Sequence, residues 1–415
     1  MEVVTSSRPY HIVIFGASGF TGKFVVEEVA RYAADNTGEN RFRWAVAGRS
    51  RQRLKGVLNQ AADRLAMPEL STGVDIIEAD VSSKESLSIM CQQGLVILNC
   101  VGPYRFYGEP VVAACVENGA HYIDICGEPQ FLERMQLDYH AKALERGVYV
   151  IGSCGFDSIP ADLGILYTQS NFKGTLTAVE SFLTISSGPE GSCGHDATWQ
   201  SAVYGFADSS ALHKLRRKFG HKPLPVVGTK VRPRGFVFFS KEIVQYAIPF
   251  MGSDPSVVKR TQRFLYQEEC RSPVQYFAYV GVGGLWSVAK LFCGGLLFWI
   301  MVKFSIGRKL LTTIEDTCFN MMFFGEGYSE GTDPLQGPPN AKICTEVMGA
   351  EPGYVATVIA MVQAAVTVLK EKHSLPRRGG VYTPGSAFYK TSLIDRLHNH
   401  GFKFSVRSYE EPAKP

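Results

Sequence analysis

The stretch His11-Ile12-Val13-Ile14-Phe15-Gly16-Ala17-Ser18-Gly19-Phe20-Thr21-Gly22 constrains the fold more than any other part of this chain. A β-branched and aromatic run ends at Gly16 and helix-forming residues begin around Phe20. The segment therefore predicts a strand, a tight glycine turn and a helix, the context a dinucleotide fingerprint requires. Gly16 permits the sharp turn, and Gly19, flanked by Ser18, Phe20 and Thr21, lets backbone amides approach a pyrophosphate. Gly22 lets the helix pack closely on the strand, and the helix N-terminus supplies partial positive charge to the phosphates. The spacing is G-x-x-G-x-x-G rather than G-x-G-x-x-G, a variant of NADP-using Rossmann families. An ordinary βα turn needs fewer coincidences than this one displays.

The next strand selects the nucleotide. Phe42 to Ala47 reads as strand two, followed by Gly48-Arg49-Ser50. NAD enzymes usually place Asp or Glu there to accept hydrogen bonds from the ribose 2′-hydroxyl. Arg49 instead offers a planar cation suited to a 2′-phosphate, with Ser50 beside it, so NADP is expected over NAD. Gly73 to Ala79 makes strand three, ending at Asp80, where an adenine ring would lie. Leu95 to Cys100 makes strand four, Ala120 to Ile125 strand five and Val148 to Ile151 strand six, with a helix from Phe131 to Glu145. Strands and amphipathic helices alternating at this spacing imply a doubly wound parallel α/β sheet.

Four segments together resemble a known family: Gly16 to Gly22, Asn99-Cys100-Val101-Gly102-Pro103-Tyr104, Tyr122-Ile123-Asp124-Ile125-Cys126-Gly127-Glu128 and Gly155-Phe156-Asp157-Ser158-Ile159-Pro160-Ala161-Asp162. They are similar to the saccharopine dehydrogenase family, and most of all to its animal saccharopine dehydrogenase-like oxidoreductases. Val381 to Phe388 fits the same group, so the resemblance covers nearly the whole chain. It implies an N-terminal Rossmann domain, a second α+β domain, and C-terminal elements returning to the first. It also implies that Cys100, Val101, Gly102 and Tyr104 lie along the cofactor near the nicotinamide. The expected boundaries are 1–160 for the NADP-binding domain, 161–372 for an α+β substrate or dimerisation domain, and 373–415 for the return.

Composition agrees with a folded chain of two domains. It has 415 residues, 45% of them hydrophobic and 20% charged, and a net charge of +4 that predicts no nucleic-acid role. Ten cysteines lie scattered with no metal-ligand spacing, as reduced core cysteines do. The first strand begins almost at once, which predicts no signal or transit peptide and a place on the cytosolic side.

In the second domain, Leu176 to Ile185 and Ile343 to Val347 read as strands, and Asp196 to Phe206 as a helix. Pro352 to Leu369 reads as a buried helix and Gly325 to Asn340 as a surface loop. Hydride transfer needs a proton donor or acceptor near the substrate carbon. Tyr104, Asp124, Glu128 and Asp157 are the candidates, at the carboxyl ends of strands; helix capping explains Asp157 equally well, and Glu128 could cap the next helix or pair with an arginine. His195 and Asp196 come after a Gly-rich turn and read as surface residues.

From Ser209 to Ser240 there is no acid, while Lys214, Arg216, Arg217, Lys218, Lys222, Lys230, Arg232 and Arg234 accumulate. A solvated loop or an anionic surface accounts for them. The segment from Ser272 to Val302 carries only Lys290, which divides it into uncharged runs of 18 and 12 residues. It is expected to be a monotopic hairpin or lipid-droplet anchor, with a buried core or homodimer interface and a true span as alternatives. Three functions are compatible with these features. The first is an NADP-dependent oxidoreductase on a lipid-like or membrane-held substrate, a reading that the trans-acting enoyl reductases of lipid biosynthesis within the superfamily resembled would fit. The others are a saccharopine-type C–N oxidoreductase on a soluble amino acid, and a non-catalytic nucleotide-binding protein of membranes or droplets.

Overall fold

The computed structural model describes residues 8–36, 42–187, 209–290, 317–335 and 337–410. They form two compact units. The first comprises Met1–Ile159, Ser210–Phe219 and Gly353–His400, and the second Pro160–Ser209, Gly220–Pro352 and Gly401–Pro415.

The strands of the first unit are β1 (Tyr10–Phe15), β2 (Trp44–Gly48), β3 (Asp75–Glu78), β4 (Gly94–Asn99), β5 (His121–Asp124) and β6 (Tyr149–Ile151). Those of the second are β7 (Gly174–Ser187), β8 (Phe238–Ser240), β9 (Gln245–Pro249), β10 (Gln275–Gly283), β11 (Thr317–Ser329) and β12 (Ala341–Gly349). Two further strands divide between the units: β13 (Gly380–Tyr382) joins the first sheet and β14 (Lys403–Glu410) the second.

The first sheet is seven-stranded and parallel, in the order β13-β6-β5-β4-β1-β2-β3. Ile12, Val13, Ile14, Val96, Ile97 and Leu98 are fully buried, as strands covered on both faces must be. Strand order reverses at β1, which pairs with both β2 and β4, so a crevice opens at the carboxyl ends of β1 and β4. This is the expected Rossmann arrangement, with β13 returning beside β6. The helix Thr357–Lys370 packs on this unit and buries all of Val358, Met361, Val362, Ala364, Ala365 and Val366. Its expected start at Pro352 is instead a π-helical turn, Pro352–Ala356.

The second sheet has the order β14-β12-β11-β7-β10-β9-β8 and is antiparallel except for the β7–β10 pair. Three expectations change here. The surface loop begins later than Gly325, because Gly325 to Ser329 complete β11. These glycines read as loop formers, yet a Cβ on Gly327 would stand 2.2 Å from Thr175 O, where β11 shifts register against β7. They serve a bulged ladder rather than a turn. The apolar segment also divides: its first run contains β10, hydrogen-bonded between β7 and β9, so Gln275–Gly283 is sheet interior and not a lipid insert. Past that strand, residues 285–290 form a helix. Leu291 to Val302 lie outside the described residues, as do His195 and the Asp196 to Phe206 helix.

The basic stretch is not a uniform cationic face either. Arg216, in the helix Ser209–Lys218, makes a bidentate pair with the buried Glu133. Arg234 pairs with Glu180 and Glu242 and lies over the rings of Phe182 and Phe238, 5.4 and 5.2 Å from their centroids. It is a tether of the second sheet's core, which centres on Phe182, Ala247 and Tyr279.

Candidate functional site

The glycine turn lies where β1 meets the helix Phe20–Asp35. Gly16 has φ +84, a left-handed conformation that favours glycine, and its N–H donates to Ala47 O at 2.9 Å. Gly19 N donates to Gly16 O at 2.9 Å, closing the turn. A Cβ on Gly22 would stand only 2.3 Å from Gly16 O, so the first helical turn rests directly on the strand's end. Gly19, at the N-cap position, has no side chain to cap this helix, and the first turn holds no acid. Its positive end is thus left for an anion, which is the fit a pyrophosphate requires. Ser18, Phe20 and Thr21 lie along this turn, and the Phe20 ring meets Tyr354 edge-on at 4.7 Å.

Arg49 is exposed just past β2, and its charge helps to hold the Asp80 carboxyl below its ordinary range. The larger causes there are hydrogen bonds from Ser82 N and Oγ. Ser50 Oγ accepts from Arg53 N at 3.4 Å and so caps the helix Arg51–Leu65. Arg51 turns away to Ile76 O.

The loop after β4 is held from below. Cys100 N donates to Phe15 O at 2.8 Å and Val101 N to Asn99 Oδ1 at 3.0 Å. Val101 Cγ2 stands 2.7 Å from where a Gly16 Cβ would be, so this loop and the glycine turn face each other closely. Burial, with the Asp124 charge nearby, pushes the Cys100 thiol up to about 12.

Beneath that loop runs a buried chain of hydrogen bonds. Tyr104 Oη donates to Asn99 O at 2.8 Å, Asn99 Nδ2 to Tyr122 Oη at 3.0 Å, and Tyr122 Oη to Asp124 Oδ2 at 2.8 Å. Asp124 Oδ1 accepts from Cys126 N at 2.9 Å and Ser153 N at 3.0 Å. Burial raises the Asp124 pKa to about 6 against the pull of those three donors, which favour the charged form. Burial, then the Asp124 charge, holds the Tyr104 hydroxyl well above its ordinary range. Asn99, Tyr122 and Ser153 were not among the expected site residues. A period-two signal was available for one of them, since Tyr122 and Asp124 are two apart on a strand and share a face.

The four acid–base candidates therefore separate. Glu128 is buried and accepts from Tyr104 N, Arg105 N and Arg105 Nε at 3.0, 3.2 and 3.2 Å, so it caps the helix Tyr104–Asn118 from across the chain. Asp124 and Tyr104 belong to the brace. Asp157 alone of the four takes no hydrogen bond among the described residues, and burial pushes its carboxyl above the usual range. It lies half-buried in the loop after β6, where a Cβ on Gly127 would stand 2.9 Å from its Oδ2. Two serines in that loop, Ser153 and Ser158, have φ of +60 and +116. Such backbone costs on the order of 1–3 kcal/mol per residue and clusters at functional sites. At the same carboxyl edge, Phe106 and Tyr107 are 58% and 42% exposed, with ring centroids 6.3 Å apart.

Residues 12–151 match the family model described as the saccharopine dehydrogenase NADP binding domain. The chain is 56% identical to a mouse saccharopine dehydrogenase-like oxidoreductase, over 99% of this chain and 100% of that one. It is 35% identical to a lipid droplet localized protein of Caenorhabditis elegans, over 96% and 98% of the two. Among solved structures, the apo saccharopine dehydrogenase (L-Glu forming) of Saccharomyces cerevisiae matches 96% of this chain and 99% of its own, with a TM-score of 0.56 at 12% identity. At that identity the likeness is one of fold.

Proposed function

The chain belongs to the saccharopine dehydrogenase family as a saccharopine dehydrogenase-like oxidoreductase with an NADP-binding domain, and from that premise we propose that it moves hydride between NADP and an apolar, lipid-like substrate. Gly16, Ser18, Gly19, Phe20, Thr21 and Gly22 would hold the pyrophosphate, Arg49 and Ser50 the 2′-phosphate, and Asp80 would border the adenine. Cys100, Val101, Gly102 and Tyr104 would line the nicotinamide end. The bound cofactor supplies or accepts the hydride. In this reading Asp157 gives or takes the accompanying proton, the Asn99-Tyr122-Asp124 brace keeps the loop after β4 in place, and Phe106 and Tyr107 meet the substrate.

The observation that carries the substrate class is the charge at the carboxyl edge. Arg105 is committed to Glu128, while the carboxyl groups of Asp124 and Asp157 are desolvated there. A dicarboxylic amino acid needs cations to offset its charge; an uncharged apolar molecule does not. The worm relative's name adds a lipid setting, and a droplet or membrane surface on its cytosolic side is the place we assign to the chain.

The test is NADPH consumption by the full-length protein against fractionated lipid extracts, beside saccharopine. Turnover on a lipid fraction, reduced ~100-fold or more by Asp157→Asn with NADPH affinity unchanged, is the expected result. Turnover on saccharopine at ~1 per second or faster would make it an amino-acid enzyme. Cofactor binding without turnover on any fraction would point to a non-catalytic role.

A further inference from the structure

The register of the second sheet brings three strand ends and one hairpin tip to the same end. Thr317, which opens β11, lies opposite Ser187, which closes β7. Strand β10 runs parallel to β7 and ends at Gly283, opposite Tyr246 near the start of β9. The β8–β9 hairpin closes at Ser240 opposite Gln245, so its tip, residues 241–244, stands at that same end. Large apolar side chains project there into solvent: Val244 is 73% exposed, Leu285 66%, Trp286 82% and Ile185 48%.

Two details mark the tip as built for display. Val244 has φ +54, a conformation that β-branched residues rarely adopt, and it still directs an aliphatic side chain outward. The tip is seated on β10, because a Cβ on Gly281 would stand 3.0 Å from Ile243 Cδ1. Glycine at 281 therefore lets the hairpin lie down on the strand that leads to Leu285 and Trp286. Charge at this end suits an anionic surface. Lys241 and Lys290 are exposed, whereas the carboxylate of Glu242, the acid of the tip, is paired with Arg234 at 2.7 Å.

We infer that the hairpin tip Lys241–Val244 and the strand-to-helix junction Gly283–Trp286 form a single lipid-docking edge that enters the headgroup layer of a phospholipid surface. Projecting side chains flanked by lysines suit a soft, anionic layer better than the flat face a second copy would present. The chain also continues from Lys290 into Leu291–Val302, twelve residues without a charge. The inference rests on the lipid setting proposed above and not on the redox chemistry.

The experiment is flotation of the full-length, NADPH-loaded protein with vesicles of phosphatidylcholine, with and without phosphatidylserine. Leu285→Ser with Trp286→Ser should lower the floated fraction ~10-fold, and Val244→Asn ~3-fold, because Asn keeps the left-handed backbone while removing the apolar tip. Lys241→Glu should weaken flotation only with the phosphatidylserine vesicles. Near-ultraviolet circular dichroism and NADPH affinity should match wild type in each variant, which separates lost docking from lost folding. A Val244/Leu285/Trp286 variant that floats as well as wild type would overturn the inference. So would a wild type that never floats and is a dimer these substitutions split. Docking that holds while no lipid is turned over would count against the proposed reaction and leave this edge standing.

Discussion

At Gly22 the absent side chain brings backbone against backbone, with 2.3 Å between Gly16 O and the place of a Gly22 Cβ. At Gly281 the absent side chain makes room for other side chains instead: a Cβ there would meet Thr184 Cγ2 at 2.8 Å, Gln245 Oε1 at 2.9 Å and Ile243 Cδ1 at 3.0 Å. The first arrangement is a local rule, in which strand, turn and helix succeed one another along the chain. The second depends on a hairpin more than thirty residues upstream and a strand about a hundred upstream. Glycine alone thus says little about function; what approaches the vacated space decides it.

Several changes would break or sharpen that contrast. The largest effect should come from removing Gln275–Val302. Read as an anchor, the segment would be dispensable to folding; as β10 it lies between β7 and β9, and the second unit should lose its cooperative unfolding transition. A deletion protein whose second unit still resists proteolysis would undo the strand assignment.

Next come the two glycines. Gly22→Ala collides with backbone and should weaken NADPH binding at least ~10-fold, read by cofactor fluorescence. Gly281→Ala collides with side chains that can shift, and should cost ~1 kcal/mol in chemical denaturation while leaving that affinity alone. Equal effects on NADPH would erase the distinction between the two regions.

A comparable change is expected at Arg49. Wild type should prefer NADPH to NADH by ~10-fold or more, equivalent to ~1.4 kcal/mol, and Arg49→Asp should abolish the preference. Equal affinities in the wild type would remove the charge argument for the 2′-phosphate.

A subtler test uses pH. The folded-state pKa of Asp124 lies above its ordinary value, so the fold binds this proton more tightly than the unfolded chain. Its stabilising contribution is complete below 3.8 and is lost as pH rises to about 6. Thermal melts should therefore show wild type losing stability relative to Asp124→Asn across that window. Parallel curves would mean that the carboxyl does not carry the titration. The smallest expected effect lies in the helix Thr357–Lys370, where Gln363 is fully buried and neither of its side-chain polar atoms is hydrogen-bonded among the described residues. Gln363→Leu should raise stability by ~1 kcal/mol without altering NADPH affinity.

Much of the first unit was legible. Strands β1 to β6 fall within a residue or two of their expected places, because a parallel sheet buried on both faces writes continuous apolar runs between helical repeats. The resemblance carried by the four motifs supplied the family and the returning β13. The brace was only half legible: Asp124 was a candidate, but Asn99, which reaches it through Tyr122, and Ser153 come from a neighbouring strand and a later loop. Glu128 shows the same limit, since the helix it caps begins 24 residues earlier.

In the second unit, apolar composition suggested lipid where hydrogen bonding made a strand. Gln275–Gly283 and Leu291–Val302 look alike as strings of aromatic, aliphatic and glycine residues, and hydropathy cannot tell a sheet interior from a bilayer, since both remove the same side chains from water. Arg234 likewise read as one cation in a basic run until Glu180, Glu242, Phe182 and Phe238 closed around it. By itself the sequence determined the Rossmann unit, its nucleotide turn and the Arg49 charge beside it, because those depend on residues adjacent along the chain. The tertiary structure alone decided which acids are occupied as caps and braces, which leaves Asp157 without a hydrogen bond among the described residues, and which apolar residues face solvent at the end of the second sheet. Those properties depend on partners far apart in sequence, and desolvation acts only once the partners have met.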